Sequence, residues 1–317
     1  MIKRKNKYSK TKRLKNWSLH LMLLPGVIFL FIFSYLPMFG LIMAFLNFSP
    51  RKGFFGSDFV GLANFEYVFR LPRIWNIVYN TLLISILKII FSIIIPVLVA
   101  LLLNELISRK FKRTVQTIIY FPHFLSWIIL AGLFIDILSP SEGIVNAVIK
   151  SFGGNPIYFL GDKNWFPYTM VFTDIWKEFG YGTIVYLAAL TSINPVLYEA
   201  AEIDGAGRFK QTLSITLPAL TPIIMLMGML SLGGILNAGG TVSTSGSSGF
   251  EQIYNLYSPQ VYETGDIVET LVFRLGIGGG GQYSVATAIG FVKSVITLVL
   301  MTFGYWLAKK TANYEIL

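Results

Sequence analysis

The chain has 317 residues, 54% of them hydrophobic and only 13% charged, with a mean hydropathy of +0.63. No soluble domain of this length carries such a surface, so the composition specifies a polytopic membrane protein. The absence of cysteine excludes a disulfide framework, thiol catalysis and cysteine metal sites, and the net charge of +10 is concentrated just before the first apolar segment. That placement reads as a topogenic tail facing lipid, with no nucleic-acid partner.

Residues 1–17 form this basic tail. The apolar stretch after it is too long for a signal peptide and lacks a small-x-small cleavage site, so a retained helix is expected. Six segments reach the roughly 20 apolar residues needed to span a bilayer: Ser18–Leu46, Thr81–Leu103, Val115–Leu138, Pro167–Thr191, Pro218–Leu236 and Ser284–Ala308. The first contains Pro25, Gly26, Pro37 and Gly40, so a kink or an interfacial end is expected there. The predicted fold is all-α with six transmembrane helices. Sixteen Lys and Arg residues fall in the two tails and the loops after the second and fourth spans, against seven in the other loops. The excess predicts cytoplasmic termini.

In the predicted outer loops, Gly143–Phe152 has apolar residues at helical spacing and predicts a short surface helix. The run Gly239–Gly249 is rich in Gly, Ser and Thr, so a mobile loop that buries no core is expected. Gly278–Gly281 lacks the Lys of a phosphate loop and reads as a turn. No phosphate loop, zinc-protease motif or serine triad occurs, and His20 and His123 lie far apart with no carboxylate pattern, so packing or interfacial roles are expected for them.

Polar residues inside apolar segments are functional by default. The fourth span contains Asp174, Trp176, Lys177, Glu178 and Tyr181, with Asp174 and Lys177 one turn apart and able to pair. Trp176 and Tyr181 offer flat amphipathic surfaces suited to sugar rings. The cluster Phe250–Tyr257 contributes Gln252, Tyr254 and Asn255, and with Asn237 these suit the outer mouth of a path for hydroxyl-rich ligands. Trp176, Lys177, Glu178, Tyr181, Asn237, Gln252, Tyr254 and Asn255 are therefore the candidate substrate path, with a structural ion pair as the competing explanation for the charges. Lys88 and Lys293 are lone intramembrane charges that either snorkel or meet a counter-ion on another helix.

Between the fourth and fifth spans, Val196–Asp204 is composed of good helix formers, Gly205 supplies a turn, and Pro218 is placed to open the next helix. A short helix between spans buries little of its own surface and suits a groove in another protein. The spacing Glu199-Ala200-Ala201, three residues, Gly205, nine residues, Ile215-x-Leu217-Pro218 resembles the signature loop of permease subunits of binding-protein-dependent, type I ABC importers. The segments Phe59–Phe65, Leu197–Gly207, Tyr262–Asp266, Gln282–Gly290 and Trp306–Lys310 resemble its carbohydrate branch, associated with oligosaccharides from complex polysaccharides.

The resemblance implies a MetI-like transmembrane core over residues 77–309, preceded by an extra helix and outer loop at 18–76 and followed by a tail at 310–317. It implies a second permease subunit, two ATPase subunits carrying ATP and Mg, and an extracytoplasmic sugar-binding protein, with no cofactor and no catalysis in this chain. Glu199, Ala200, Ala201, Asp204, Gly205, Leu217 and Pro218 would form the ATPase-coupling loop. The alternative reading is an ion-coupled secondary transporter or channel, whose expected internal repeats are not detected.

Overall fold

The computed structural model describes residues 8–239 and 248–312, so residues 240–247 of the Gly/Ser/Thr run lie outside the described residues. Helix α1 (Tyr8–Leu30) passes through a π turn (Phe31–Tyr35) into a 3-10 segment (Leu36–Phe45), forming one apolar run from Leu19 to Phe45. Every residue from 19 to 39 is exposed. The π turn precedes Pro37 and the 3-10 segment contains it, the kind of irregularity expected where proline removes an amide donor.

The strands β1 (Leu46–Asn47) and β2 (Asp58–Phe59) pair antiparallel and reverse the chain into α2 (Ala63–Arg70). Within the Phe59–Phe65 segment, Asn64 donates to the carbonyls of Ala44 and Leu46, which fixes α2 against the end of the first span.

Helix α3 (Ile74–Asn104) is apolar on most of its circumference, yet Thr81, Ser85 and Lys88 share one face and are completely buried. Lys88 on that face reaches Asp174 of α7 (Phe166–Thr191), the helix with which α3 makes the most extensive pairing among the described residues. Polar groups at this position have to be satisfied internally. Thr81 accepts from the amide of Val268, and Ser85 donates to the carbonyl of Ile235.

The expected continuous third span, Val115–Leu138, is corrected. Helix α4 (Arg109–Tyr120) runs into a 3-10 turn (Phe121–Phe124), and α5 (Trp127–Ile137) departs at 103°. Pro122 lacks a donor, Leu125 is extended, and the Ser126 side chain accepts from the Ile129 amide to start α5 afresh. Gly180 allows α4 to lie close against α7, since a Cβ there would sit 1.9 Å from the Ile119 carbonyl oxygen. Helix α6 (Ile144–Ser151) is the expected short helix, pinned by buried Asn146, which donates to three carbonyls and accepts from the Ile157 amide at 2.7 Å.

After α7 come α8 (Pro195–Ile203) and α9 (Arg208–Gln211), then a π turn (Thr212–Thr216) that continues into α10 (Leu217–Leu232). Pro218 sits in the first turn of α10, as the sequence suggested, but the span does not begin there. The helical run is continuous from Arg208 to Leu232, and its π turn immediately precedes the proline. The fold closes with α11 (Ser248–Leu256), α12 (Tyr262–Gly265), α13 (Val268–Gly276) and α14 (Tyr283–Ala312). Gly279 and Gly281, at φ +101° and +61°, make the turn before α14.

Among the described residues, four helical runs are long and apolar enough to cross a membrane, and two bent pairs bring the number to as many as six. The second bent pair is α7 with α8, which turn through 70°. Three apolar clusters hold the fold together. One lies around Trp127, Phe166 and Ile253, one around Ile77, Val268 and Ile289, and one around Val97, Tyr186 and Leu220.

Candidate functional site

Two constellations answer to the residues picked from sequence. The first is the loop between α7 and α10. The Asn194 side chain accepts from the Val196 amide at 3.1 Å and starts α8, with Pro195 in the first turn, where a missing donor costs little. At the other end, Ala206 donates to Ala201 at 2.8 Å and Gly205 to Glu202 at 3.0 Å. These are the two bonds of a Schellman closure, and Gly205 takes the left-handed position within it at φ +73°.

No residue of α8 is buried, and Val196, Leu197 and Ile203 are 60%, 51% and 87% exposed. The helix thus displays apolar side chains beside the carboxylates of Glu199, Glu202 and Asp204, which also reach the surface. Nothing lies within 4 Å of where a Gly205 Cβ would point, so that side of the turn is open to an approaching surface. Leu217 is half-buried and Pro218 exposed on α10.

Behind α8, a polar cleft of about 230 Å³ joins the loop to the spans. Tyr198 and Thr216 share a hydroxyl hydrogen bond at 2.9 Å, which ties α8 to the π turn. Arg208 binds Glu105 at 2.8 Å and ties α9 to the end of α3. Sequence reasoning passed over Tyr198, Thr216, Arg208 and Glu105. The position of Arg208 three residues past the glycine was the available signal.

The second constellation lies between α3, α7 and α11. Lys88 is fully buried, donates to the Ala238 carbonyl at 2.9 Å and to Gln252 Oε1, and stands 3.3 Å from Asp174 Oδ1. Gln252 in turn donates to the Met170 carbonyl and to Thr173 Oγ1, each at 2.7 Å. The expected pairing of Asp174 with Lys177 is therefore replaced by a counter-ion on another helix. Lys88 does not snorkel, because it lies well inside its span and finds three oxygen partners there.

Lys177 instead bonds Glu178 Oε1 at 2.7 Å and the His123 carbonyl at 2.9 Å. Glu178 Oε2 meets His123 Nδ1 at 2.7 Å, and the His123 ring stacks on Tyr181 at 3.9 Å and 4°. His123, for which only a packing or interfacial role was expected, has a carboxylate partner in Glu178, and the bend between α4 and α5 is what brings it to α7. Lys293 also has a counter-ion, Glu269 on α13.

The eight path candidates do not share one surface. Trp176 lies half-buried against an open apolar groove of about 560 Å³ with Leu87, Phe91, Phe172 and Phe179, its ring edge-on to Phe134. Lys177 and Glu178 are buried within the chain, and Gln252 has no exposed surface, so it lines no opening in this arrangement. Tyr181 and Tyr254 are each 44% exposed, but on separate helices. Asn237 is half-buried at the end of a 3-10 turn after α10, and Asn255 bonds back to Glu251 in its own helix. Sequence reasoning missed Thr173 and underrated Lys88, although the 81, 85, 88 spacing in α3 marks a polar face.

In the second turn of α3, Asn80 donates to the Glu263 carbonyl at 2.9 Å and links α3 to α12. A hydrogen bond from Lys163 holds the Glu263 carboxyl below its ordinary range.

Residues 92–313 match the family described as binding-protein-dependent transport system inner membrane component. The polygalacturonan/rhamnogalacturonan transport system permease protein YteP of Bacillus subtilis (strain 168) is 39% identical over 308 residues, covering 97% of this chain and 92% of YteP. Protein LplB of the same organism is 40% identical over 292 residues, 92% of this chain and 88% of LplB. A crystal structure of a bacterial ABC transporter involved in import of the acidic polysaccharide alginate contains a chain of 39% identity and TM-score 0.85, with 96% of this chain and 99% of that one covered. A further structure of a bacterial alginate ABC transporter, in complex with alginate pentasaccharide-bound periplasmic protein, gives 38% identity and TM-score 0.84 over 98% and 99%.

Proposed function

The chain belongs to the family of binding-protein-dependent transport system inner membrane components, and from that premise we propose how it works as the permease of a sugar ABC importer. The exposed helix α8 carries the reading. Its apolar and acidic surface, closed by Gly205 in a left-handed turn, docks in a cleft of an ATPase subunit, and a second permease presents the equivalent helix to a second ATPase. ATP and Mg are bound and used on those subunits, with no chemistry in this chain.

Closure of the ATPases moves α8. Tyr198 passes the displacement to Thr216 and the π turn at the foot of α10, while Arg208 passes it to Glu105 and α3. The spans then rearrange between inward- and outward-open states. Both termini and α8 face the cytoplasm, as the Lys and Arg distribution predicts, and an extracytoplasmic binding protein delivers the sugar to the opposite side. Relatives named for polygalacturonan/rhamnogalacturonan and alginate transport support oligosaccharides of acidic polysaccharides as the first cargo to test.

The test is Gly205→Leu in the assembled importer. A side chain there adopts a disfavoured backbone at a cost of about 1–2 kcal/mol, and it projects into the space an ATPase would occupy. The variant should insert normally in the membrane but lose ATPase co-purification and sugar uptake. Normal sugar-stimulated ATP hydrolysis and uptake would refute both the docking role and the cytoplasmic placement of α8.

A further inference from the structure

Lys293 lies ten residues into α14, about 15 Å along the axis at 1.5 Å per residue, which is about half of a ~30 Å hydrocarbon core. Its amine donates to Glu269 on α13. Unlike the Lys88–Asp174 pair, whose side chains are 0% and 2% exposed, this one stays open, at 20% and 25%. An open charge pair at mid-depth is too costly against lipid, so it faces protein or a watered path.

The pair opens into a groove of about 550 Å³, within the range of about 300–1,000 Å³ usual for ligand sites. Phe250, Phe273 and Tyr283 line it beside Thr287. The aromatic wall is braced, since Phe250 packs on Phe273 with centroids 5.4 Å apart and Tyr254 meets Phe273 edge-on at 5.0 Å. The close approach of α13 and α14 behind the pair is set by Gly276, where a Cβ would come within 3.2 Å of the Ala286 methyl.

We propose that this groove is a saccharide subsite on the translocation path, and that the Lys293–Glu269 pair sets the charge preference of the cargo passing it. The inference rests on the transport reading above. Aromatic faces suit the apolar faces of sugar rings. An ammonium has three donors, of which Glu269 takes one, and a carboxylate keeps spare lone pairs, so the pair offers donors and acceptors together to sugar hydroxyls. Because the two charges compensate, neither an anionic nor a neutral glycan is held too tightly to leave, which a transport path requires. Removing either partner uncovers one sign of charge at a site of low dielectric.

The experiment uses the complete importer with its binding protein in proteoliposomes, and compares uptake of galacturonate and mannuronate oligosaccharides with neutral oligosaccharides of equal length. Each variant is read relative to wild type, which cancels the binding protein's own preference. Glu269→Gln should raise the acidic-to-neutral ratio and Lys293→Gln should lower it, each by about three- to tenfold, as expected for one uncompensated charge. Lys293→Arg should leave the ratio near wild type. Thr287→Trp, which fills the groove from α14, should reduce uptake of every oligosaccharide in a complex that still assembles and hydrolyses ATP.

An unchanged ratio in both charge variants overturns the subsite. So does recovery of assembly and uptake in the double variant after parallel losses in both single ones, which marks a structural pair. If both charge variants fail to assemble, Thr287→Trp decides, and undiminished uptake, or loss of assembly there too, overturns the proposal. A wild-type complex that moves no oligosaccharide would instead count against the transport reading itself.

Discussion

The two charged regions of this permease are built in opposite ways. Between α3, α7 and α11, Lys88, Asp174 and Gln252 are sealed from solvent; Lys88 and Gln252 are held to carbonyls and a hydroxyl of their own chain, and Asp174 faces Lys88 as its counter-ion. On α8, the carboxylates of Glu199 and Glu202 and the side chains of Val196, Leu197 and Ile203 reach the surface, and the ordered hydrogen bonds belong to the backbone turn and to Tyr198 behind it. A buried charge that loses its counter-ion is strongly unfavourable, so the first region is committed to holding helices in place. The second keeps its side chains available, as a surface for another protein must. Charge in a membrane protein therefore does not by itself locate the transport machinery.

The strongest way to break this contrast is to remove one partner of the sealed pair. Lys88→Met leaves the Asp174 carboxylate and Gln252 facing an apolar group, and loss of one member of a buried pair costs about 3–5 kcal/mol. The purified complex should lose thermal stability and expression together. Lys88→Met combined with Asp174→Asn should recover a large part of that loss, as coupled neighbours do. Equal stability of the single and double variants would show that Asp174 does not depend on Lys88, and the region would lose its reading as a lock.

A smaller effect is expected one turn further along α7. Lys177, Glu178 and His123 form a compact network across the bend between α4 and α5, and each member keeps another partner when one is removed. Lys177→Gln leaves Glu178 its contact with His123 Nδ1, and Glu178→Gln leaves Lys177 the His123 carbonyl, so about 1–3 kcal/mol is expected from either substitution. The decisive comparison is uptake against stability. If uptake falls while the melting temperature holds, this network belongs to the sugar path. If both fall in parallel and the double variant recovers them, it is a second lock.

These two networks also show where the sequence was readable. The boundaries of α7, the short helices α6 and α8 and the left-handed turn at Gly205 follow from local signals such as proline in a first turn, apolar spacing and a glycine closing a helix. The partners of Lys88 and His123 do not, because Asp174 lies 86 residues beyond the one and Glu178 55 beyond the other. Only the packing of α3 and α4 on α7 selects them. Pro122 and the Ser126 cap mark the break in the structure, but in the sequence the surrounding apolar run concealed the bend. The π turn at Thr212–Thr216 leaves no pattern in side-chain type, which is why the helical run upstream of Pro218 was not read.

The mildest perturbation tests the link between α8 and the spans. Arg208 and Glu105 are 74% and 48% exposed, so their ion pair contributes only about 0–1 kcal/mol to stability. As a stability element it is nearly dispensable, whereas as a strut between α9 and α3 it lies on the route from α8, the helix proposed to dock, to the longest span. Glu105→Gln should therefore leave the melting temperature of the complex almost unchanged, while the ratio of sugar transported to ATP hydrolysed falls modestly. The charge-swapped pair, Arg208→Glu with Glu105→Arg, should restore that ratio. If the ratio is unaffected in Glu105→Gln, the movement of α8 reaches the membrane through Tyr198 and Thr216 alone. The hydroxyl contact at the π turn then becomes the single point at which the exposed region governs the sealed one.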